Sequence, residues 1–407
     1  MRQRILVAGV AVIAGCHTGA PAPVTGRAVP ESRYLFVWAG DSNKQESDFL
    51  AVIDVDRRSS TYAQVIATLP VGATATMPHH TEYQMPASGE LWANGFAAGR
   101  TFRFDLHDPT RPRLAGSFDE AGGFRHPHSF ARLPNGHLLG TFQHRAGDEQ
   151  AAGGLVELDT AGRAVRAVSA AASSGDSTVR PYSIAVVPGL DRVITTATDM
   201  HLEVRSRAVQ IWRLSDLTLL HTLLLPPGPR GDENWLTAEP RVLADGRTVM
   251  VNTFTCGLYL LRGLDGDAPG AEAVRSSPYA EGRFCAVPVV AGHFWLQPSG
   301  VEHAVVSLDV ADPSHPREVG RLELGPDQVP HWLALEPSGT RVVITGYRDL
   351  LTWVLLADLD PVTGAMRLDT TFRERSAARP GVFFGRAVWP HGATGAAIPH
   401  GAVFARP

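Results

Sequence analysis

A pattern of short apolar runs recurs seven times along this 407-residue chain, and it limits the fold more tightly than any other feature. The runs are FLAVIDVD (49–56), FRFDLHD (102–108), GLVELDTAG (154–162), VQIWRLSD (209–216), GLYLLRGLDG (257–266), AVVSLDVAD (304–312) and WVLLADLDP (353–361). Each is rich in Val, Ile, Leu and aromatics and closes on Asp, Gly or Pro, which reads as a strand followed by a turn. Upstream of most lies a glycine turn, at Gly89, Gly136, Gly189, Gly246, Gly292 and Gly339, at spacings of 47, 53, 57, 46 and 47 residues. A period near 50, several short strands per unit and no 3.6-residue periodicity predict an all-β chain folded as a β-propeller. Seven units predict seven blades. The small-residue stretch 164–180 reads as a loop between blades.

Before each glycine turn should lie the innermost strand of a blade, opening towards the central channel. Those strands are expected to begin at MPHHTEY (77–83), HPHSFAR (126–132), RPYSIAV (180–186), AEPRVLA (238–244), FCAVPVV (284–290) and VPHWLAL (329–335). A seventh candidate, IPHGAVF (398–404), lies at the far end of the chain. It is expected to serve as the inner strand of blade 1, whose other strands, YLFVWAG, FLAVIDVD and YAQVIATL, come from the N-terminal part. Such a closure leaves no open sheet edge in the ring. The propeller is therefore assigned to residues 31–407.

The first sixteen residues, MRQRILVAGVAVIAGC, carry Arg2 and Arg4 before an apolar run too short to span a bilayer. Ile13-Ala14-Gly15-Cys16 resembles a bacterial lipobox, so 1–16 is expected to be a lipoprotein-type export signal with Cys16 lipidated. Residues 17–30 then form a flexible tether, and the lipid would be the chain's one contact with a membrane. That places the protein in the cell envelope, periplasmic or at the cell surface, where thiols oxidise. Cys256 and Cys285 would there either pair or stay free.

Sixteen histidines stand out in a chain whose only lysine is Lys44. Four of the seven inner strands open with Pro-His, at His79, His128, His331 and His400, in four consecutive blades. Their rings would converge at one mouth of the channel. Proline fixes φ and donates no backbone hydrogen bond, so it holds the next side chain at a set angle. His80 and His391 lie close by and complete the candidate metal ligands. His126, Tyr182, Glu239 and Cys285 are candidates to line the channel. Clustered neutral imidazoles suit Cu, Zn, Fe or Ni, and the lack of several carboxylates argues against Ca²⁺ and Mg²⁺. The other reading is that Pro-His simply opens a strand and each ring bonds a carbonyl. The remaining histidines, including His144 and His201, read as surface or structural groups. Asp54, Asp105 and Asp159 recur with the repeat and read as turn formers.

A net charge of −4 with scattered arginines gives no basic stripe, which disfavours a nucleic-acid partner. No G-x-S-x-G elbow or P-loop occurs.

The segment DFLAVIDVDRRSSTYAQVI (48–66), then MPHHTEY and HPHSF, resembles the selenium-binding protein family, which includes bacterial methanethiol oxidases. The resemblance implies a seven-bladed propeller and copper on channel-mouth histidines, with zinc or iron as alternatives. His79 and His80 take the family's double-His place, His128 that of a later histidine, and His331 a Pro-His strand opening. It further implies oxidation of a small-molecule substrate, a sulfur compound in the family. EYQMPASGELWANG carries no cysteine, a departure that sets aside cysteine-borne selenium chemistry here. A non-catalytic anchored binding module and a lactonase-type, metal-assisted hydrolase are the competing functions.

Overall fold

The computed structural model describes residues 29–171, 179–201, 205–277, 284–346, 352–375 and 377–407. The expected export signal, with Cys16, and most of the tether lie outside them. Seven antiparallel sheets form a seven-bladed β-propeller, with no α-helix among the described residues and no helix long and apolar enough to cross a membrane.

Each blade is a meander that starts at the axis and moves outward. In blade 2 the order is Pro78–Thr81, Glu90–Gly95, Arg100–Asp105 and Arg113–Phe118. Blades 3 to 7 repeat it, starting from inner strands Phe124–Arg132, Ile184–Val187, Thr237–Val242, Val289–Ala291 and Pro330–Leu335. The seven recurrent runs are the third strands, covered on both faces because blades pack face to face, so they read as continuous apolar stretches rather than alternating ones. Trp38 of blade 1, for example, sits 5.3 Å from both Phe102 and Phe104 of blade 2.

The C-terminal strand Ala397–Phe404 pairs with Tyr34–Asp41 and is the inner strand of blade 1, as the sequence predicts. Next outward come Ser47–Asp54 and Val65–Thr74. The turn aspartates behave as expected: Asp159 Oδ1 accepts from the Ala161 and Arg163 amides at 2.9 Å. Five of the six inter-strand glycines adopt positive φ; in blade 4 Asp191, at φ 56°, takes that role instead of Gly189.

Two expectations are corrected. Residues Ala164–Ser169 are not a loop but the outer strand of blade 3, pairing with Gly154–Leu158. That edge strand is largely exposed, so its small residues carry no core signal. In blade 6 the inner strand is only three residues long. Cys285 touches its neighbour through one isolated bridge to Ser299, and it forms a disulfide with Cys256.

In five of the blades one polar residue on the second strand laces the sheet to its neighbour near the axis. Asn94 Nδ2 donates to Pro127 O (2.7 Å), Thr141 Oγ1 to Tyr182 O (2.7 Å), Asn252 Nδ2 to Ala286 O (2.8 Å), Thr196 Oγ1 to Ala238 O, and Thr345 Oγ1 to His400 O. Each satisfies a carbonyl that the channel would otherwise leave unpaired.

Candidate metal centre

All four Pro-His strands carry one extra residue against their partner at the histidine. Pro78 and Thr81 pair with Gly95 and Ala93, Pro127 and Phe130 with Phe142 and Gly140, Pro330 and Trp332 with Gly346 and Thr345, and Pro399 and Ala402 with Ala39 and Val37. A bulge of this kind bends the strand and re-aims a side chain. Here it turns His79, His128, His331 and His400 towards the axis.

His80 joins them. All five rings are buried, none more than 2% exposed. His79 lies at the hub, with ring centres 4.2 Å from His400, 4.7 Å from His80, 4.8 Å from His128 and 6.3 Å from His331. Two triads have ligand atoms within 4.8 Å of one another, His79–His331–His400 and His79–His80–His128. His79 belongs to both.

Their hydrogen bonds prepare them as ligands. His400 Nδ1 faces the carbonyl oxygen of His79 at 2.7 Å, which makes Nδ1 the protonated nitrogen and leaves Nε2 with the lone pair. His80 and His128 each place Nδ1 against Ser129 Oγ, at 2.9 and 3.1 Å, while their buried Nε2 atoms make no hydrogen bond. Burial holds His79, His80 and His128 well below the ordinary histidine value. For His79 and His80 the prospective charges of neighbouring rings add to that effect. Burial likewise takes His400 down to about 3, against the opposing pull of its bond to His79. These four imidazoles, His79, His80, His128 and His400, are therefore neutral across the physiological range. Strand-opening geometry alone would leave no reason for such nitrogens to be buried without partners.

Beside the five rings runs a polar network. The amide of Glu239, a channel candidate, bonds Asn252 Oδ1 as the His80 amide bonds Asn94 Oδ1, so Glu239 shares the level of His80. Ser129 and Ser183 occupy that level in blades 3 and 4, with their amides on Thr141 and Thr196. Tyr83 OH donates to Glu239 Oε2 at 2.8 Å and meets Ser183 Oγ at 3.0 Å, and Ser183 Oγ donates to Glu239 Oε2. Arg241 Nη1 donates to the same oxygen at 2.8 Å, with its guanidinium 4.1 Å from the Tyr83 ring centre. Glu239 Oε1, buried and without a hydrogen bond, lies 3.9 Å from His80 Nε2. Tyr182 packs 3.8 Å from the His128 ring. Ser129, Ser183, Tyr83 and Arg241 were missed in the sequence, although HPHS and RPYS show the same Pro-aromatic-Ser order.

The other candidates lie elsewhere. His391 bonds Thr68 Oγ1 at 2.7 Å through Nδ1 and Thr394 Oγ1 at 3.2 Å through Nε2, and packs on Phe49. Both its nitrogens are engaged on the blade 1 side chains, and it belongs to neither triad. Cys285 is held in the disulfide and offers no thiol to the channel. His126 adopts φ 56° within its strand and turns away from His128 to a separate group with His144 and His201. His144 is thus a buried structural group, and of the three only His201 is substantially exposed.

A cavity of about 520 Å³ lies beside the centre, lined by His400 and Pro78 together with Lys44, Asp41, Met77 and Ala97. Its size suits a small ligand.

No family model matches the chain. A methanethiol oxidase of Hyphomicrobium sp is 36% identical over 118 residues, 27% of this chain and 26% of that protein. Another, from Ruegeria pomeroyi, is 29% identical over 124 residues, 29% of this chain and 28% of its own length. The matched stretch thus spans about a quarter of these relatives. Among solved structures, a hypothetical selenium-binding protein from Sulfolobus tokodaii superposes with a TM-score of 0.75 at 16% identity, over 92% of this chain and 94% of its own. A periplasmic gluconolactonase from Pseudomonas aeruginosa reaches 0.64 at 13% identity, over 92% and 99%. At such identities the structural likenesses speak for the propeller alone. The chain resembles the selenium-binding protein and methanethiol oxidase family in part of its sequence and in its fold.

Proposed function

We propose that the chain is a metal-dependent oxidoreductase that acts on a small substrate at the five-histidine centre. The observation that carries this reading is the pair of buried, unbonded imidazole nitrogens, His80 Nε2 and His128 Nε2, beside His79, with His400 set in its ligating tautomer. The residues present fit a transition metal: neutral imidazoles without thiolate suit copper, zinc or iron. The partial likeness to methanethiol oxidases favours a redox metal, hence copper over zinc, which has no redox chemistry. His79, His80, His128, His331 and His400 would hold it, and bound copper would supply one-electron chemistry at the channel mouth.

The chain's own groups do the rest. The cavity beside His400 admits and orients the substrate, and the buried rings exclude water. Glu239 Oε1 takes up the proton that a thiol releases, while Arg241 and Tyr83 hold the carboxylate in place through Oε2. Small thiols such as methanethiol are the first substrates to try. Export and lipid anchoring through Cys16 form part of the proposal on the sequence, and the Cys256–Cys285 disulfide supports an oxidising compartment.

The test is elemental analysis of protein made in copper- and zinc-supplemented medium, with oxygen uptake measured on small thiols. Near-stoichiometric copper and thiol-dependent uptake are expected; His79→Ala should lose the uptake and hold copper far more weakly at the centre. A chain that binds no transition metal under any loading would overturn the reading and leave a binding module.

A further inference from the structure

Aromatic rings continue the circle that the five histidines begin. From His128 the ring centres run through Tyr182 (3.8 Å) and Phe254 (a further 5.6 Å) to Phe284 (5.3 Å) and on to His331 (5.0 Å). This arc crosses blades 3 to 7 and joins a member of one triad to a member of the other.

Blade 6 is the weak point of the arc. Its inner strand, Val289–Ala291, has three residues, whereas Pro330–Leu335 in blade 7 has six. The stretch 284–288, which brings Phe284 to His331, lies outside that strand and is bound to the blades on either side. Cys285 N donates to Phe254 O at 3.2 Å, and Asn252 Nδ2 donates to Cys285 O and Ala286 O at 3.1 and 2.8 Å. On the other side Val287 N donates to His331 O at 2.8 Å and Leu333 N to Val287 O at 3.1 Å, a parallel bridge directly against the histidine strand. The His331 ring itself stacks on Phe284, with the planes 19° apart.

The Cys256–Cys285 disulfide fastens this stretch to blade 5. Cys285 follows Phe284, and Cys256 lies two residues after Phe254, so the bond holds together the two segments that carry the stacked rings. Cys256 takes φ 63°, a left-handed conformation uncommon for a residue with a side chain and kept only where the surroundings over-determine it. The covalent bond supplies here the rigidity that a full inner strand supplies in the other blades.

We propose that the Cys256–Cys285 disulfide, acting through Phe284, is the positioning clasp of His331, and that its formation completes the His79–His331–His400 triad. Formation joins the two sulfurs and passes two electrons and two protons to a disulfide oxidant, which becomes a dithiol. Metal affinity at this triad then depends on passage through an oxidising compartment. The effect on metal rests on the metal-centre reading above, whereas the hold on His331 stands on geometry alone.

Two variants of the full chain remove the clasp in different ways. Cys256→Ser/Cys285→Ser breaks the bond, and Phe284→Leu keeps the bond but loses the stacked ring. Each protein is stripped of metal, and its affinity for Zn²⁺, a probe without redox chemistry, is read by competition with a chromophoric chelator. Both should bind about ten-fold more weakly than the wild type, the lower end of the cost of losing a group that orients a ligand. If the first variant does not fold, Phe284→Leu decides. The same changes are then made in two backgrounds. With His331→Ala they should cost nothing further, because the ring they position is gone. With His128→Ala, where the clasped triad remains, the full loss should appear. Equal losses in both backgrounds would show general loosening and overturn the proposal, as would unchanged affinity in both variants. Hydrogen exchange of the metal-free chains needs no bound ion: the Val287 and Leu333 amides should exchange faster in the disulfide-free variant. Unchanged protection there overturns the clasp even if affinity falls. Faster exchange in a protein whose wild type binds no metal sustains the clasp and overturns the metal-centre reading instead.

Discussion

His79 is where the two triads meet, and this makes the five histidines unequal. Removing His128 leaves His79–His331–His400 intact, and removing His331 leaves His79–His80–His128. Removing His79 breaks both. His79→Ala should therefore lower copper affinity by more than the ~10–100-fold typical of losing a group that only orients a ligand. His128→Ala and His331→Ala should each lose less, and His391→Ala nothing. Competition with a chromophoric chelator ranks the four, and equal losses at His79 and His331 would count against the shared hub. Glu239 makes a different prediction. Its Oε1 faces the ligand His80 from 3.9 Å but belongs to neither triad. Glu239→Gln keeps the shape and the bond from Tyr83 yet loses the proton acceptor, so turnover should fall while metal content holds. Loss of metal in step with activity would make Glu239 a ligand instead.

At the scale of the strand, the inner edge of each blade decides the site. The Pro-His openings, the seven third strands and the C-terminal closure are legible in the sequence because burial on both faces demands long apolar runs and proline marks the strand start. The bulges are not legible, since an extra residue has no composition of its own, and they decide that Glu239 lies level with His80. Outer strands such as Ala164–Ser169 are equally silent because one face meets water. The grouping of His126, His144 and His201 escaped for a third reason: the three come from separate segments and share no repeat position. Gly401 shows how tightly the inner strands approach. A Cβ there would lie 2.6 Å from the His79 carbonyl oxygen and 2.9 Å from the Thr81 amide nitrogen. That carbonyl is the one that fixes the His400 tautomer. Gly401→Ala should therefore cost about 1–3 kcal/mol by overpacking and weaken metal binding as well. A urea titration alongside copper analysis checks both; unchanged metal affinity would mean that blades 1 and 2 separate without disturbing the rings.

The whole ring depends on how its ends are fastened. The strand Ala397–Phe404 closes blade 1, and a buried ion pair locks the seam between that blade and blade 7. Arg341, fully buried, donates to both carboxylate oxygens of Glu336, at 2.7 and 3.0 Å. It also donates to the carbonyls of Ser32 (2.9 Å) and Val55 (2.6 Å), while the Ser32 amide bonds Glu336 and Ser32 Oγ donates to Ala405 O at 2.6 Å. One arginine thus ties the first strand's approach, the second strand's exit and blade 7 together. Removing one partner of a buried pair costs about 3–5 kcal/mol, of which the half-exposed Glu31 carboxylate, 3.7 Å from Arg341, offsets part here. Glu336→Gln should lower the unfolding midpoint in urea by a corresponding amount at pH 7. The pH dependence follows from the carboxylate. Burial alone would raise Glu336, but the bonds and charge of Arg341 more than offset it and hold the group below its ordinary value of 4.5. A carboxylate with a depressed folded value contributes stability that is fully present above the unfolded value and is lost as pH falls through the folded one. The wild type should therefore lose this contribution on acidification below about pH 4.5, and the gap between wild type and Glu336→Gln should narrow over that range. A gap that stays constant from pH 7 to pH 3 would show that the seam is held by the hydrogen bonds of Arg341 to the two carbonyls, and that its charge adds nothing to closure.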